Sequence, residues 1–277
     1  MAGALSASQY TKSKTIIKLA HLYERFIVRS SNAVAIVSPG MRSTILKYDA
    51  NSNIIRSYNG IEDTTIDFSN LENLSHELGK VYQQVLKKIA YSADDKLLIY
   101  AGALTQSYDV ITIIKSIELC KDKNIKLLIL GDGDKKQEYE KYVNDLKVSN
   151  VYFNDFVNRL VALNLIRLSS VAIHSFNSNP HWSYVLGNKV FDYMATGTPV
   201  LFSGMGTTAD VVLACNAGLV SEPGNVVEFN SKLNLLLNDN RYVDYGENAK
   251  KCAFNKWRRS DQMNAFLHDL KSPIGDQ

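Results

Sequence analysis

The residues best suited to holding a charged ligand lie between Val171 and Gly206. Val171–His174 is a short β-prone run, and Phe176–Tyr184 is crowded with the Asn, Ser, Pro and Trp that favour irregular backbone. From about Gly187 the apolar Val190, Phe191 and Met194 fall at helical spacing, Gly197 stands where a C-terminal glycine ends a helix, and Pro199 opens the strand PVLFSG. A loop that leaves the carboxyl end of a parallel strand and enters a helix aims free backbone N–H groups into the crevice where α/β proteins bind phosphates. The segment Ser183, Tyr184, Val185, Leu186, Gly187, Asn188 and Lys189 is therefore a candidate binding loop, and its length and aromatic content suit a nucleotide. Trp182 and Tyr184 either fill a hole there or stack on a ligand.

Two glycine turns read the same way. Gly102 follows the apolar run LLIYA and Gly131 follows LLIL. Each serves a tight turn, and together, at the carboxyl ends of parallel strands, they let a ligand approach the backbone. GDGD is not a G-x-G-x-x-G fingerprint, so no dinucleotide cofactor is inferred. His174 and His181 are too few and too ill-spaced for a metal site, and a structural, hydrogen-bonded histidine is the reading for each. Asp132 and Asp134 of the GDGD turn are not read as metal ligands, and no divalent metal is expected. Thr207, Thr208 and Asp210, after the turn SGMG, read as helix capping.

These residues need a sheet to position them, and the chain supplies one. Leu97–Ala101, Lys126–Leu130, Val151–Phe153, Val171–His174, Pro199–Gly204 and Gly218–Val220 read as strands. Helical stretches at Val110–Leu119, Lys135–Leu146, Arg159–Leu168 and Gly187–Gly197 alternate with them. This demands an α/β fold with a doubly wound, Rossmann-like parallel sheet. Pro223-Gly224-Asn225 caps a helix through Leu237, and Arg241–Ala253 and Ser260–Leu270 are two more helical stretches. Upstream, Ala33–Val37 and Asn53–Ser57 read as strands flanking a helix over Met41–Tyr48, capped by Ser38. Residues 61–75 are a polar linker, and a helix from about His76 to Tyr91 opens the domain 76–277.

At 277 residues, 45% hydrophobic and 21% charged, the chain can bury a full core. Its net charge of +3 is unevenly spread: residues 1–60 hold eight Lys or Arg against two acids, leaving 23 against 26 for the rest. On a helix at about 100° per residue, Lys14, Lys18, Arg25 and Arg29 fall within roughly 60° of one another, with Ile16, Leu19, Ala20, Tyr23, Phe26 and Ile27 opposite. Either this is a solvated face over a core-packed stripe, or the basic face meets anionic lipid headgroups. No nucleic-acid partner is inferred. Cys120, Cys215 and Cys252 are odd in number and widely spaced, which indicates neither a disulfide framework nor a zinc site and fits a reducing compartment. No run approaches a membrane span, and MAGALSASQY lacks the features of a signal peptide. The expected location is cytoplasmic, with peripheral attachment to the inner face of the membrane as an extension of the basic helix.

The segment NPHWSYVLGNKVFDYMATGTPVLFSG, with LLIYAGAL and LLILGDGD upstream and AGLVSEPGN downstream, resembles the donor-binding half of retaining GT-B glycosyltransferases, family four. The similarity runs through most of residues 15–270, and it rests on the order and spacing of the motifs together. The resemblance implies that residues 1–60, with SPGM and YNG, are a remnant of the N-terminal Rossmann-like domain, onto which the last helix crosses back. It implies a nucleotide-activated sugar, UDP- or GDP-linked, as donor, a glycan or lipid-linked acceptor, and no cofactor. In that family two glutamates eight positions apart flank the loop. The second, on the ribose hydroxyls, corresponds to Asp192; the first, near the donor sugar, corresponds to Tyr184. The family's Arg and Lys after the first glycine turn are replaced by Ala103 and Gln106, which leaves Lys189 to meet the diphosphate unless it is only a solvated helix residue. Asp155 and Phe156 match the position that holds the base by backbone contacts, Phe156 being equally compatible with a core place. The other readings of the resemblance are a binding subunit completed by a separate N-terminal-domain chain, a truncated remnant that binds weakly or not at all, and half of a GT-B-fold sugar-nucleotide epimerase. No catalytic residue is assigned.

Overall fold

The computed structural model describes residues 13–61, 74–120, 122, 124–239 and 242–271. The expected linker lies outside these residues except for Ile61 and residues 74–75.

Six parallel strands form the main sheet: β3 (Lys96–Ala101), β4 (Ile125–Leu130), β5 (Val151–Asn154), β6 (Val171–Ser175), β7 (Val200–Ser203) and β8 (Gly218–Ser221), in the spatial order β5-β4-β3-β6-β7-β8. Strand alternation divides the apolar side chains between two layers. Leu97, Ile99, Leu128, Leu130, Val200 and Phe202 enter one core, and Leu98, Tyr100, Leu127, Ile129, Val171 and Leu201 the other. Both faces are buried, which is why these strands read as continuous apolar runs. The covering helices are α3 (His76–Lys88), α4 (Val110–Glu118), α5 (Lys136–Asp145), α6 (Arg159–Leu168), α7 (Asn188–Thr196), α8 (Thr207–Ala214), α9 (Val226–Asn238) and α10 (Tyr242–Lys256). Their starts follow ordinary capping chemistry: Ser75, Asp109, Asn158 and Asn225 each accept a hydrogen bond from a first-turn N–H. α7 stops at Gly197, whose φ of 76° only glycine adopts without strain. α3 stops three residues before the expected Tyr91, because Ala90 takes a left-handed φ of 48°.

The N-terminal part is a smaller parallel pair, β1 (Val34–Ile36) and β2 (Ile54–Arg56), with α1 (Lys14–Ser30) and α2 (Arg42–Tyr48). Val28, Ile36, Ile45 and Ile54 form its core. α11 (Arg259–Lys271) returns to this pair and packs on β2. There the Asp269 carboxylate accepts from Arg56 Nε and Nη2, both at 2.7 Å, and from the Arg56 backbone N–H at 3.1 Å. Ile61 N–H donates to the Trp257 carbonyl and Arg259 N–H to that of Ile61, each at 2.7 Å.

Three expectations are corrected. Ser38 caps no helix: Pro39 launches a 3-10 turn, Pro39–Met41, and the buried Ser38 hydroxyl donates instead to the Tyr184 carbonyl at 2.6 Å. Cys215 and Cys252 are disulfide-bonded, 37 positions apart, because α10 packs on α7 and β8 and carries Cys252 to the end of α8. The apolar stripe of α1 is not packed into a core; among its described residues only Val28 is buried.

Candidate functional site

In the order β5-β4-β3-β6-β7-β8 the chain winds outward from β3 in one direction and, from β6 on, in the other. The switch point therefore lies between β3 and β6, where adjacent strand-end loops diverge and leave a crevice. The turn at Gly102 leaves β3 and the loop 176–187 leaves β6, so the two stretches singled out by sequence border this crevice. Two hydrogen bonds join them: Asn177 N–H donates to the Ser107 carbonyl at 3.0 Å, and Asn177 Nδ2 donates to that of Gln106 at 2.7 Å.

Gly131 completes the row of turns. Its N–H donates to the Asn154 carbonyl and that of Gly102 to the Leu130 carbonyl, both at 2.8 Å. A Cβ on Gly131 would fall on the Gly102 carbonyl oxygen, and one on Gly102 would fall on the side chain of Lys189. Glycine at position 131 is thus a packing requirement, since its neighbour is backbone, whereas at position 102 the neighbour is the flexible end of Lys189. Lys189 lies directly over Gly102, half-buried, with Nζ 4.0 Å from the centroid of the Tyr108 ring. The ring holds the cation by its negative face while leaving it close to the strand end.

Lys189 is also in the first turn of α7, whose N-cap is Gly187 and which has no acidic residue there. Val190 N–H donates to the Gly187 carbonyl at 3.1 Å; the N–H groups of Asn188 and Lys189 before it have no intrahelical acceptor, and with a lysine beside them they make an anion-binding terminus. The turn is held from below by Thr208, whose hydroxyl accepts from Gly187 N–H at 2.9 Å and donates to the Val185 carbonyl at 2.8 Å. This replaces the capping role expected of Thr208; the N-cap of α8 is Gly206, with no side-chain cap.

The remaining candidates separate. Asp192 stands one and a half turns into α7 with its side chain 34% exposed, paired with Arg159 Nη2 at 2.8 Å. Asp155, beyond β5, is exposed and paired with Lys136, whose ammonium holds the Asp155 carboxyl below the usual range. Phe156 is 63% exposed, so the core reading is excluded for it. Asn188 is exposed, whereas Leu186 is buried in the core and contributes backbone only. Ser183 is half-buried, with its hydroxyl on the Pro180 carbonyl at 2.7 Å. Tyr184 turns away from Lys189: its hydroxyl meets His181 Nδ1, and its ring lines a cavity of about 210 Å³ with His21, Glu24 and Tyr48 of the N-terminal part. Burial raises the Tyr184 phenol above its ordinary value and pushes Tyr48, which donates to Glu24 at 2.9 Å, up to about 12.

The aromatics divide between packing and the crevice. Trp182 stacks on Phe176 at 5.2 Å and 6°, and Phe176 stacks on Tyr108 at 5.7 Å. Trp182 thus fills a hole, and it is Tyr108 that reaches the cation. His174 is 1% exposed, enclosed by Tyr108, Phe176 and Phe202, and neither ring nitrogen has a partner. It is not the hydrogen-bonded histidine expected. Burial, reinforced by Lys189, depresses its pKa well below the ordinary value and keeps it neutral. Tyr108 and Asn177 are the site residues that sequence reasoning missed, and Thr208 was named there for a different role. Only Tyr108 carried a signal, being an aromatic in an irregular loop just as Trp182 is.

A hollow of about 790 Å³ lined by Tyr82, Asn164 and Arg167 shares no residue with this cluster, and the strand-end geometry rather than size decides the assignment. Among the described residues no group of three or more His, Cys, Asp or Glu is placed to hold a metal, and no helix is long and apolar enough to cross a membrane.

A family model described as glycosyl transferases group 1 matches residues 82–252, the part that contains the whole strand-end cluster. The chain is similar to the uncharacterized glycosyltransferases MJ1607 and MJ1069 of Methanocaldococcus jannaschii. The first is 27% identical over 72% of this chain and 49% of the relative, the second 25% identical over 88% and 60%. The chain thus spans about half the length of the curated relatives it matches. In fold it is similar to Anabaena Alr3699/HepE, crystallised in complex with UDP and glucose, with a TM-score of 0.74, 16% identity, and coverage of 94% of this chain and 68% of that one.

Proposed function

This chain belongs to the glycosyl transferases of group 1, and from that membership we propose that it binds a nucleotide-activated sugar, UDP- or GDP-linked, in the crevice between β3 and β6. Lys189 and the first-turn N–H groups of α7 take the diphosphate, and Asp192 accepts the ribose hydroxyls. The backbone around Asp155 and Phe156 holds the base. The observation that carries this reading is Lys189 lying over Gly102, a cation at both a helix N-terminus and a switch point. The complex of Anabaena HepE with UDP and glucose supports the choice of ligand.

The reaction is transfer of a hexosyl group, with retention, to a hydroxyl of a glycan or lipid-linked acceptor. Charge grows on the diphosphate as the glycosidic bond breaks, and Lys189 with the fixed N–H dipoles of α7 stabilises that charge without reorganising. The division into residues 1–60 and 76–277 fits this activity if the smaller part borders the acceptor.

Calorimetry with UDP, GDP and ADP tests the reading. One of them binds, and Asp192→Asn weakens it by roughly 10- to 150-fold, the effect of losing a hydrogen bond to a charged group. Arg159→Gln, which removes the exposed ion pair to Asp192 and keeps the Asp192 carboxylate, and Tyr184→Phe leave the diphosphate affinity within about fivefold. No heat from any of the three nucleotides at millimolar concentration overturns the proposal.

A further inference from the structure

α1 has three faces, and only one of them is used by the fold. Ile17, Ala20, Glu24 and Val28 turn toward the rest of the chain and are half-buried or buried. Lys14, Lys18, Arg25 and Arg29 are all exposed, and Arg29 is steadied by a hydrogen bond from Nε to the Tyr48 carbonyl at 3.1 Å. On the remaining face Leu19 is 60% exposed, Tyr23 55% and Phe26 68%, with Ile16, Leu22 and Ile27 beside them. A stripe of six large apolar side chains along a 17-residue helix is a contiguous surface rather than scattered residues.

We infer that α1 is an interfacial helix that lays this stripe into the surface of a membrane carrying anionic lipids. This inference does not rest on the nucleotide reading. Charge selects the occupant. A helix with aromatic and aliphatic side chains on one face and Lys and Arg on the polar face lies in the interface plane, its cations on the headgroups. Residues 1–60 carry +6 from eight basic and two acidic residues, and the remaining residues carry −3 from 23 and 26. An anionic surface therefore attracts the α1 end and repels the rest, which fixes the orientation.

The test is co-sedimentation of the full chain with vesicles of phosphatidylcholine alone and of phosphatidylcholine mixed with phosphatidylglycerol. Binding to the mixed vesicles is expected, with a decline as salt rises toward physiological strength and beyond. Lys18→Gln with Arg25→Gln weakens it about 25-fold, about fivefold for each cation removed. Leu19→Ser with Phe26→Ser abolishes it at any salt. All four positions are exposed, so the variants keep the fold, and the salt series on the parent chain stands without them. Sedimentation with neither vesicle, or equally with both and insensitive to salt, overturns the inference. So does a concentration-dependent dimer, detected by analytical ultracentrifugation, that Phe26→Ser dissociates, since a second copy then covers the stripe.

Discussion

The six-stranded sheet and the β1–β2 pair are made of the same unit, parallel strands crossed over by helices, but they are closed differently. Around the large sheet a nine-residue helix such as α4 buries Val110, Ile113, Ile114 and Ile117. In the small part the 17-residue α1 buries Val28 and leaves most of its apolar side chains in solvent. The large sheet is tied together by backbone lying on backbone at Gly102 and Gly131, and by the Cys215–Cys252 disulfide. The small pair is joined to it by discrete links: the Arg56–Asp269 ion pair, the Ile61 hydrogen bonds and the Ser38 hydroxyl. The difference separates the part proposed to hold a ligand from the part proposed to meet a surface. Rigid packing puts Lys189 and the α7 terminus in one place, while the apolar stripe of α1 lies exposed among the described residues.

The largest expected effect breaks the rigid side. Gly131→Ala drives a methyl group into the Gly102 carbonyl, and since that neighbour is backbone, relief requires the β3 and β4 ends to part. We expect a loss of about 3 kcal/mol, at the upper end of overpacking costs, read from urea unfolding. Nucleotide affinity falls with it, because the shifted carbonyl belongs to the residue under Lys189. Unchanged stability in the Gly131→Ala protein would show that the row of turns is looser than its packing implies.

Much of the rigid side was legible beforehand. LLIYA and LLIL are apolar on both faces, and only a sheet covered on both sides accepts that pattern. The glycines after them, and Gly197 after the α7 stripe, mark where strands and helices stop. What escaped depends on distant partners. Ser38 before Pro39 satisfies a capping rule locally, yet its hydroxyl is taken by a carbonyl 146 positions away. The spacing of Cys215 and Cys252 says nothing about α10 folding onto α7 and β8. An amphipathic pattern shows that α1 has an apolar side, but not whether the chain supplies anything to cover it. His174 reads as a residue that must find a partner, and only packing shows it sealed among aromatic rings.

A smaller effect tests the link between the two parts. Asp269 is held down to about 2 chiefly by its side-chain hydrogen bond to Arg56. Its unfolded-state value is 3.8, so the native state binds the proton more weakly than the unfolded one. The carboxylate's contribution is fully present above about pH 4 and is lost as pH falls through about 2. The shift corresponds to about 2 kcal/mol, so Asp269→Asn should destabilise by about that amount at neutral pH and by far less at pH 2. Thermal unfolding at the two pH values measures it. An equal loss at both would assign the effect to packing of α11 on β2 rather than to charge.

The smallest effect is expected on the open side, and it is the one that separates an uncovered stripe from a covered one. A phenylalanine in a packed core costs about 3–5 kcal/mol when truncated, because its apolar area returns to water and a cavity is left behind. Phe26 is 68% exposed and sits in none of the three core clusters, so its removal opens no cavity and returns little area to water. Serine and phenylalanine differ little in helix propensity, so the backbone of α1 is indifferent to the exchange. Phe26→Ser should therefore change unfolding stability by no more than about 0.5 kcal/mol, the usual range for surface positions. Urea unfolding of dilute protein, without lipid, gives the value. A loss of about 2 kcal/mol or more, the scale of a buried side chain, would mean that the stripe is buried in solution, and the contrast between the two sheets would then belong to the isolated chain alone.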